Sequence, residues 1–373
     1  IFIFINASKS FLKMFLSQLW LTNFRNYETA QLVFNEGITL ITGDNGNGKT
    51  NLLEAIAWFS KGKSFRGSPN EALILQNKEK AILRAEILQN KRKTMLEVEL
   101  NNFGRNQLQI NGKKVNKKKE LQEKIKTTIF GPDDLSLIKG SPTERRNYLD
   151  ELLFDLHTKN QLIKTNFEKC LKQRNTLLKQ AKGKITTEIE TTLNVWDEKF
   201  AESGEQLAEE RINLLEKLKP EIENTLKKFT KNQDSVSFEY EKLWEKGQLF
   251  EALQSERQTD IRRGTTTIGP HRDEIGIKVN NLLSRNHSSQ GEQRSLALGL
   301  RLAGHEIVKR TTGSEPVVLL DDVFSELDDT RCQILIDLLP KKQAVLTTTG
   351  KLPTGVKPDY KYHVVEGIIK SSE

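Results

Sequence analysis

The stretch "ITLITGDNGNGKTNLLEAIAWF", residues 38–59, decides the fold. Ile38 to Thr42 is an apolar run of strand length. Leu52, Leu53, Ile56 and Phe59 recur at helical steps after it. Between the two lie Gly43, Asp44, Asn45, Gly46, Asn47, Gly48, Lys49 and Thr50, which fit the phosphate-loop pattern. Its glycines let backbone amides turn toward an anion with no Cβ in the way. Lys49 can reach the β and γ phosphates of a nucleotide such as ATP. The Thr50 hydroxyl can hold Mg²⁺, and the helix that follows points its positive end at the charge.

Two further stretches supply what such a loop needs. "PVVLLDDVFSELDD", residues 316–329, is a buried strand ending in two acids. Asp321 at a strand end beside a phosphate loop can hold Mg²⁺, and Asp322 can polarise an attacking water. "SSQGEQRSLALGLRLA", residues 288–303, opens a helix at Ser289, with Glu292 three residues on, the spacing of a capping box. In this company it is similar to the signature loop of ATP-binding-cassette enzymes, in which one subunit meets the nucleotide held by another.

Bulk properties frame these motifs. The 373 residues can bury a sizeable core, and 58 Lys and Arg against 50 Asp and Glu leave a net charge of +8. That excess is compatible with a phosphate-bearing partner and equally with a solvated basic surface. Cys170 and Cys332 lie far apart without ligand-spaced neighbours, so the sequence predicts no disulfide framework or zinc site and fits a reducing cytoplasm. No apolar run reaches the roughly 18 residues that a membrane span needs. The first Met is Met14, and residues 1–13 read as an upstream extension outside the fold.

From Phe15 to about Val115 the pattern is mostly strand-like, with "LSQLWLTNF" and "TAQLVFN" as paired strands. Asn111-Gly112 between alternating apolar residues predicts a hairpin. From Glu144 to Phe229 the chain is long, charged and helical in period, with Pro220 expected at a helix start. Strands return near Phe238. The expected domains are therefore a discontinuous α/β body, residues 14–130 and 238–373, and a helical insert over 131–237.

The wide separation of Lys49 from Asp321, with a helical segment between, resembles ATPase heads of the structural-maintenance-of-chromosomes (SMC) type. Four stretches make the resemblance specific. "LWLTNFRNY" (19–27), "FGPDDLSLIKGSPTERRNYLD" (130–150), "GPHRDE" (269–274) and "LLDDVFSELD" (319–328) are similar to motifs of the RecF family of bacterial recombination-mediator ATPases. The likeness runs from Met14 to the C-terminus in the family's order. It implies an ABC/SMC-like phosphate-loop ATPase head with an inserted helical lid. Residues 43–50 would bind ATP, and Thr50 and Asp321 would hold Mg²⁺. Asp322 stands where many cassette ATPases carry a glutamate, which implies slow hydrolysis. Ser289, Gly291 and Gln293 would reach the nucleotide of a second chain, and Asp328 would lie in the D-loop.

The resemblance further implies an ATP-induced homodimer on single-stranded and gapped DNA. RecR and RecO would be partners, and RecA loading and SOS induction in the cytoplasm the setting. The alternatives are a cassette ATPase of a defence or nuclease system and a clamp with negligible hydrolysis. The switch position, Thr347 to Thr349, carries threonines rather than histidine. No glutamine marks a Q-loop, and Asp133 is the candidate substitute. His271 is open between a phosphate contact and loop ordering. For Lys113, Lys114 and Lys117–Lys119 a solvated charge run outweighs a DNA-tracking role. Arg145 and Arg146 are open between helix surface and DNA contact, and His157 and His363 read as structural or exposed.

Overall fold

The computed structural model describes residues 14–229, 234–339, 343–350 and 352–372. The expected extension at 1–13 lies outside these. The chain forms two compact units. One holds the described residues up to Pro132 and those from Val308 onward, and the other is Asp133–Ile307.

The first unit carries two six-stranded sheets. The antiparallel one contains β1 (Met14–Phe24), β2 (Tyr27–Val33), β4 (Lys80–Gln89), β5 (Arg92–Asn101), β6 (Gln107–Ile110) and β7 (Lys113–Val115), in the order β2-β1-β4-β5-β6-β7. The other contains β3 (Ile38–Thr42), β8 (Thr127–Phe130), β12 (Val317–Asp321), β13 (Ala344–Thr348), β14 (Tyr360–Val365) and β15 (Ile368–Ser372), in the order β15-β14-β3-β13-β12-β8. Its strands are parallel except β15.

The expected pairing of β1 with β2 is present, and β1 also pairs with β4. A register shift between Leu16 and Gln18 lets Leu16 and Leu19, three apart, both face the core despite the period of two. The helix Lys49–Lys61 is buried over nearly its whole length. Leu52, Leu53, Ile56 and Trp58 share one core with Leu19 and Leu83 of the antiparallel sheet and Val317, Leu319 and Val345 of the parallel one. A helix wedged between sheets is buried on more than one face, and Leu52 to Ser60 are all buried. The Asn111-Gly112 turn forms as expected, with φ of 51° and 75°.

The second unit is a bundle of three long helices, Pro142–Leu156, Thr158–Ala181 and Thr187–Phe229, with a three-stranded sheet. That sheet contains β9 (Val236–Glu241), β10 (Glu274–Val279) and β11 (Leu282–Leu283), in the order β11-β10-β9. Residues 238–307 therefore pack with the helical segment, whereas the sequence pattern assigns them to the α/β body. The reason is β9, which pairs with β10 and with no strand of the other sheets.

Pro220 also departs from expectation, because it lies inside the helix Thr187–Phe229 rather than at a start. The buried stripe of Leu214, Leu218, Ile222 and Leu226 runs through it unbroken. Pro220 and Glu216 are both exposed, so water can take the carbonyl that the missing N–H leaves free.

A charged cluster locks this unit. Arg174, fully buried, donates to Asp197 at 2.6 Å, Asp260 at 2.6 Å and Thr266 at 2.9 Å. Arg211 grips Asp150 with two bonds of 2.7 and 2.9 Å and donates to the Pro270 carbonyl at 2.8 Å.

Candidate nucleotide site

The phosphate loop leaves β3 and enters the helix at Gly48. Two glycines have steric reasons to be there. A Cβ on Gly43, whose φ is 146°, would lie 2.3 Å from the Val364 carbonyl oxygen. One on Gly48, φ 108°, would lie 2.5 Å from the Asn26 side chain. Asp44, Asn45 and Gly46 form the exposed tip.

The loop is fastened from two directions. Asn26, in the turn between β1 and β2, donates Nδ2 to the Asn47 carbonyl at 2.9 Å and accepts from Asn51 at 2.8 Å. The Tyr27 hydroxyl donates to the Gly48 carbonyl at 3.0 Å. From the C-terminal hairpin, the Val364 carbonyl accepts Asn47 Nδ2 at 3.2 Å, and Gly367 N donates to the Asn47 carbonyl at 3.3 Å.

Lys49 is buried. Its ammonium donates to the carbonyls of Gly43 at 2.8 Å and Asp44 at 2.9 Å, which uses two of its three protons. Burial lowers its pKa from the usual lysine value, and Asp322, Asp321 and Asp44 oppose that shift.

Because β12 ends level with the loop, its last residue, Asp321, meets Thr50. The Thr50 hydroxyl donates to Asp321 Oδ1 at 2.8 Å, and so does the Thr347 hydroxyl on neighbouring β13, also at 2.8 Å. Burial raises the Asp321 pKa. The hydroxyls of Thr347 and Thr50 and the charge of Arg66 pull it down, and Asp322 adds to the rise. Asp322 has φ 50°, a left-handed conformation uncommon outside glycine. Its backbone N–H donates to Thr347 Oγ1 at 3.0 Å, while its buried Oδ1 has no hydrogen-bond partner.

Hydroxyl and carboxylate oxygens are the donors that a hard cation such as Mg²⁺ takes, and a buried carboxylate oxygen without a partner is costly unless something fills the gap. The residues fit both Mg²⁺ and the phosphates it accompanies.

The remaining predicted residues have local partners of their own. Ser289 caps the helix Gln290–Thr312: Glu292 N donates to its Oγ at 3.3 Å, and Ser289 N donates to Glu292 Oε2 at 2.7 Å, completing the capping box. Gly291 is in the first turn. Gln293 is only 3 % exposed, and its amide holds the carbonyls of Ser284 at 3.1 Å and Arg285 at 3.3 Å. Its side chain thus ties down the loop before the helix rather than reaching outward. Asp328 caps the helix Asp329–Leu338, accepting from Arg331 N at 2.9 Å. His271 settles on loop ordering. Its Nε2 bonds the Thr266 carbonyl at 3.0 Å, its ring meets Phe200 edge-on, and burial lowers its pKa to about 4. Arg145 pairs with Glu274 and Arg146 with the Asp273 carbonyl, so both are structural within their unit. Lys118 leaves the basic run, since it donates to the Gly62 carbonyl at 2.8 Å and lies over the Trp58 ring.

Two participants carry no sequence signal of their role: Asn26, although it lies within a quoted motif, and Arg66, which no pattern marks. Of the three threonines at 347–349, Thr347 is the one whose hydroxyl bonds Asp321.

Comparison with known proteins gives the family. Residues 15–352 match the family described as "RecF/RecN/SMC N terminal domain". The "DNA replication and repair protein RecF" of Streptomyces avermitilis is 35% identical over 376 residues, covering 96% of this chain and all of that one. The chain belongs to the RecF family. The RecF of Alkaliphilus oremlandii is 36% identical over 90% of this chain and 93% of its own length. Among solved structures, "recombination mediator protein RecF-ATPrS in RecFOR pathway" superposes with a TM-score of 0.89 at 34% identity, covering 97% of this chain and 99% of that one. The RecF-ATP form gives 0.88 at 33%, covering 97% and 98%. An Smc head domain from Pyrococcus furiosus, 17% identical with a TM-score of 0.56 over 96% of each chain, shares the fold. The fold is that of an ABC/SMC-like ATPase head, and the family is one of DNA replication and repair. No described helix is long and apolar enough to cross a membrane.

Proposed function

We propose that this chain is an ATP-dependent DNA-binding protein of repair and recombination, in which ATP binding closes a dimer on DNA and slow hydrolysis reopens it. One observation carries the reading: two threonine hydroxyls converge on Asp321 at a strand end beside the phosphate loop, next to an Asp322 oxygen with no partner. The relatives solved as RecF-ATP and RecF-ATPrS support the choice of nucleotide.

The backbone amides of residues 43–50 bind the phosphates. Lys49 exchanges its loop carbonyls for phosphate oxygens. Thr50 and Asp321 would hold Mg²⁺, which would offset the negative charge of the phosphates. Asp321 must be ionised for this; the two hydroxyls favour the ionised form, while burial, the larger effect, opposes it. Asp322 orients the water that attacks the γ-phosphorus and accepts its proton as the bond to the bridging oxygen breaks. Being one carbon shorter than glutamate, it reaches less far, which makes turnover slow. Ser289, Gly291 and Asp328 present helix N-termini and caps to the nucleotide of the second chain, and Gln293 holds the Ser289 loop in place. Preferential ATP binding to the closed dimer then sets how long DNA is held, a shift of population rather than a power stroke.

The substrates of this reading are single-stranded DNA and its junctions with duplex. RecR and RecO are the partners, RecA loading and SOS induction the outcome, and the cytoplasm the setting. The shorter side chain of Asp322, where a glutamate would reach further, keeps open a second reading, a clamp with negligible hydrolysis. Single-turnover hydrolysis by wild type and Asp322→Asn separates the two.

Light scattering with ATP and Mg²⁺, with and without gapped DNA, tests the main proposal. Wild type should dimerise only with ATP, while Lys49→Arg and Ser289→Arg stay monomeric. A Ser289→Arg chain that dimerises normally sinks the composite site.

A further inference from the structure

Two hairpins turn at the same end of the antiparallel sheet, β4 to β5 at Asn90-Lys91 and β6 to β7 at Asn111-Gly112. The four turn residues have φ of 49°, 65°, 51° and 75°. This is the mirror-image turn that suits hairpin twist, and its second position favours glycine. Gly112 obeys. The first hairpin instead has Lys91 there, a side chain in a backbone conformation that penalises one. Arg92 and Lys93 follow, and Lys113 and Lys114 follow the second turn. All five are exposed, and neither residues 89–94 nor 109–117 contain an acid, although Lys93 pairs with Glu86 on neighbouring β4 at 3.2 Å.

Lysine on an edge strand has an ordinary explanation, since it blocks edge-to-edge pairing. That covers Lys113 and Lys114 on β7. It does not cover Lys91, Arg92 and Lys93, because β4 and β5 are interior strands of the sheet. Strand register sets the spacing of the two groups. Glu97 pairs with Gln109 and Gln109 with Lys114, so Lys93 lies four residues along and two strands across from Lys114, on the same face of the sheet. At ~3.3 Å per residue and ~4.8 Å per strand, their Cα atoms are ~16 Å apart. That is of the order of the ~12 Å width of a B-DNA major groove, which long flexible side chains can match. Neither turn segment carries an exposed large apolar residue, which the centre of a protein interface would need.

The end is far from the nucleotide. Met14 pairs with Gln89 here, while the opposite end of β1 leads to Asn26 on the phosphate loop, roughly 30 Å away along the strand.

We propose that these paired hairpin ends are a docking surface for the phosphate backbone of duplex DNA, separate from the nucleotide site. The surface rests on the DNA-binding reading above and adds to it a location. Rigid turns hold the cations in place, and as they neutralise phosphates of both strands the condensed counterions are released to solvent. The contact reads no sequence.

The test uses the full chain with ATP and Mg²⁺ on a duplex with a single-stranded gap, across a range of salt. Replacing Lys91, Arg92, Lys93, Lys113 and Lys114 by Gln should flatten the slope of log K against log salt by ~0.9 for each phosphate no longer neutralised, so by ~2–4 in all. Lys91→Gly isolates the strain. It should melt no earlier than wild type, since glycine suits the turn, yet bind DNA more weakly. Unchanged slope and affinity in both variants, with wild type binding DNA, overturn the surface alone and leave an acidic protein face as its partner. A wild type that binds no DNA overturns the surface together with the reading beneath it.

Discussion

Replacing Thr347 by valine tests the geometry of the acid pair directly. Valine keeps the volume of a residue that is 1 % exposed, so packing survives. It deletes the bond to Asp321 Oδ1 at 2.8 Å and the acceptor for Asp322 N at 3.0 Å. Asp322 N keeps the Thr347 carbonyl at 3.2 Å, so the main loss is the bond to a carboxylate, about 1.5–3 kcal/mol. Asp321 retains Thr50, but its pKa, already raised by burial, moves further up. A ligand that holds its proton binds metal less well. Loss of a supporting bond of this kind lowers metal affinity ~10–100-fold, or about 1.4–2.8 kcal/mol. Binding of a fluorescent ATP analogue, titrated with Mg²⁺ at several pH values, reads this. Thr347→Val should need ~10–100-fold more Mg²⁺. Its Mg²⁺-dependent binding should also fail at a higher pH than in wild type, because the proton must leave Asp321 first. Thr348→Val is the control: it removes a buried hydroxyl that accepts from Gly350 N at 3.1 Å, with no bond to either acid. If Thr347→Val folds and its Mg²⁺ midpoint matches wild type at every pH, Asp321 does not hold the metal and the reasoning fails.

Other residues give independent tests. Gly48→Ala places a Cβ 2.5 Å from Asn26 Nδ2 at a φ of 108°, so ATP binding measured by calorimetry should fall at least tenfold, about 1.4 kcal/mol, while the circular dichroism spectrum stays that of wild type. Arg174→Met strands the Asp260 carboxylate and one bond of Asp197, and should cost about 3–5 kcal/mol in urea unfolding. Pro220→Ala restores an N–H to an exposed helix interior and should stabilise by up to ~3 kcal/mol in the same experiment. His271, with a folded pKa of about 4 against 6.5 when unfolded, makes stability present above pH 6.5 and progressively lost as pH falls toward 4, because only the unfolded chain takes the proton. The loss should reach about 3 kcal/mol, and His271→Gln should remove that part of the pH slope in urea titrations.

The nucleotide loop, its flanking strand and helix, the acid-ended strand and the capped Ser289 helix are legible in the sequence. Each is a local pattern in which residue type dictates nearby backbone: glycines where φ is positive, an apolar run that must be buried, a serine three residues before a glutamate. The Asn111-Gly112 hairpin is legible for the same reason. What tertiary structure decided was every partnership across sequence distance. Asn26 fastens Asn47, Thr347 meets Asp321, and the cations of the β4–β5 turn reach the end where those of β6–β7 lie. Strand register makes those meetings, and no local pattern records register between strands of different segments. Pro220 continues a helix because a buried stripe on both sides outweighs one missing N–H, and residues 238–307 join the helical unit because β9 finds β10. Residue order alone determined the chemistry the chain carries, while packing and pairing chose which of its groups touch.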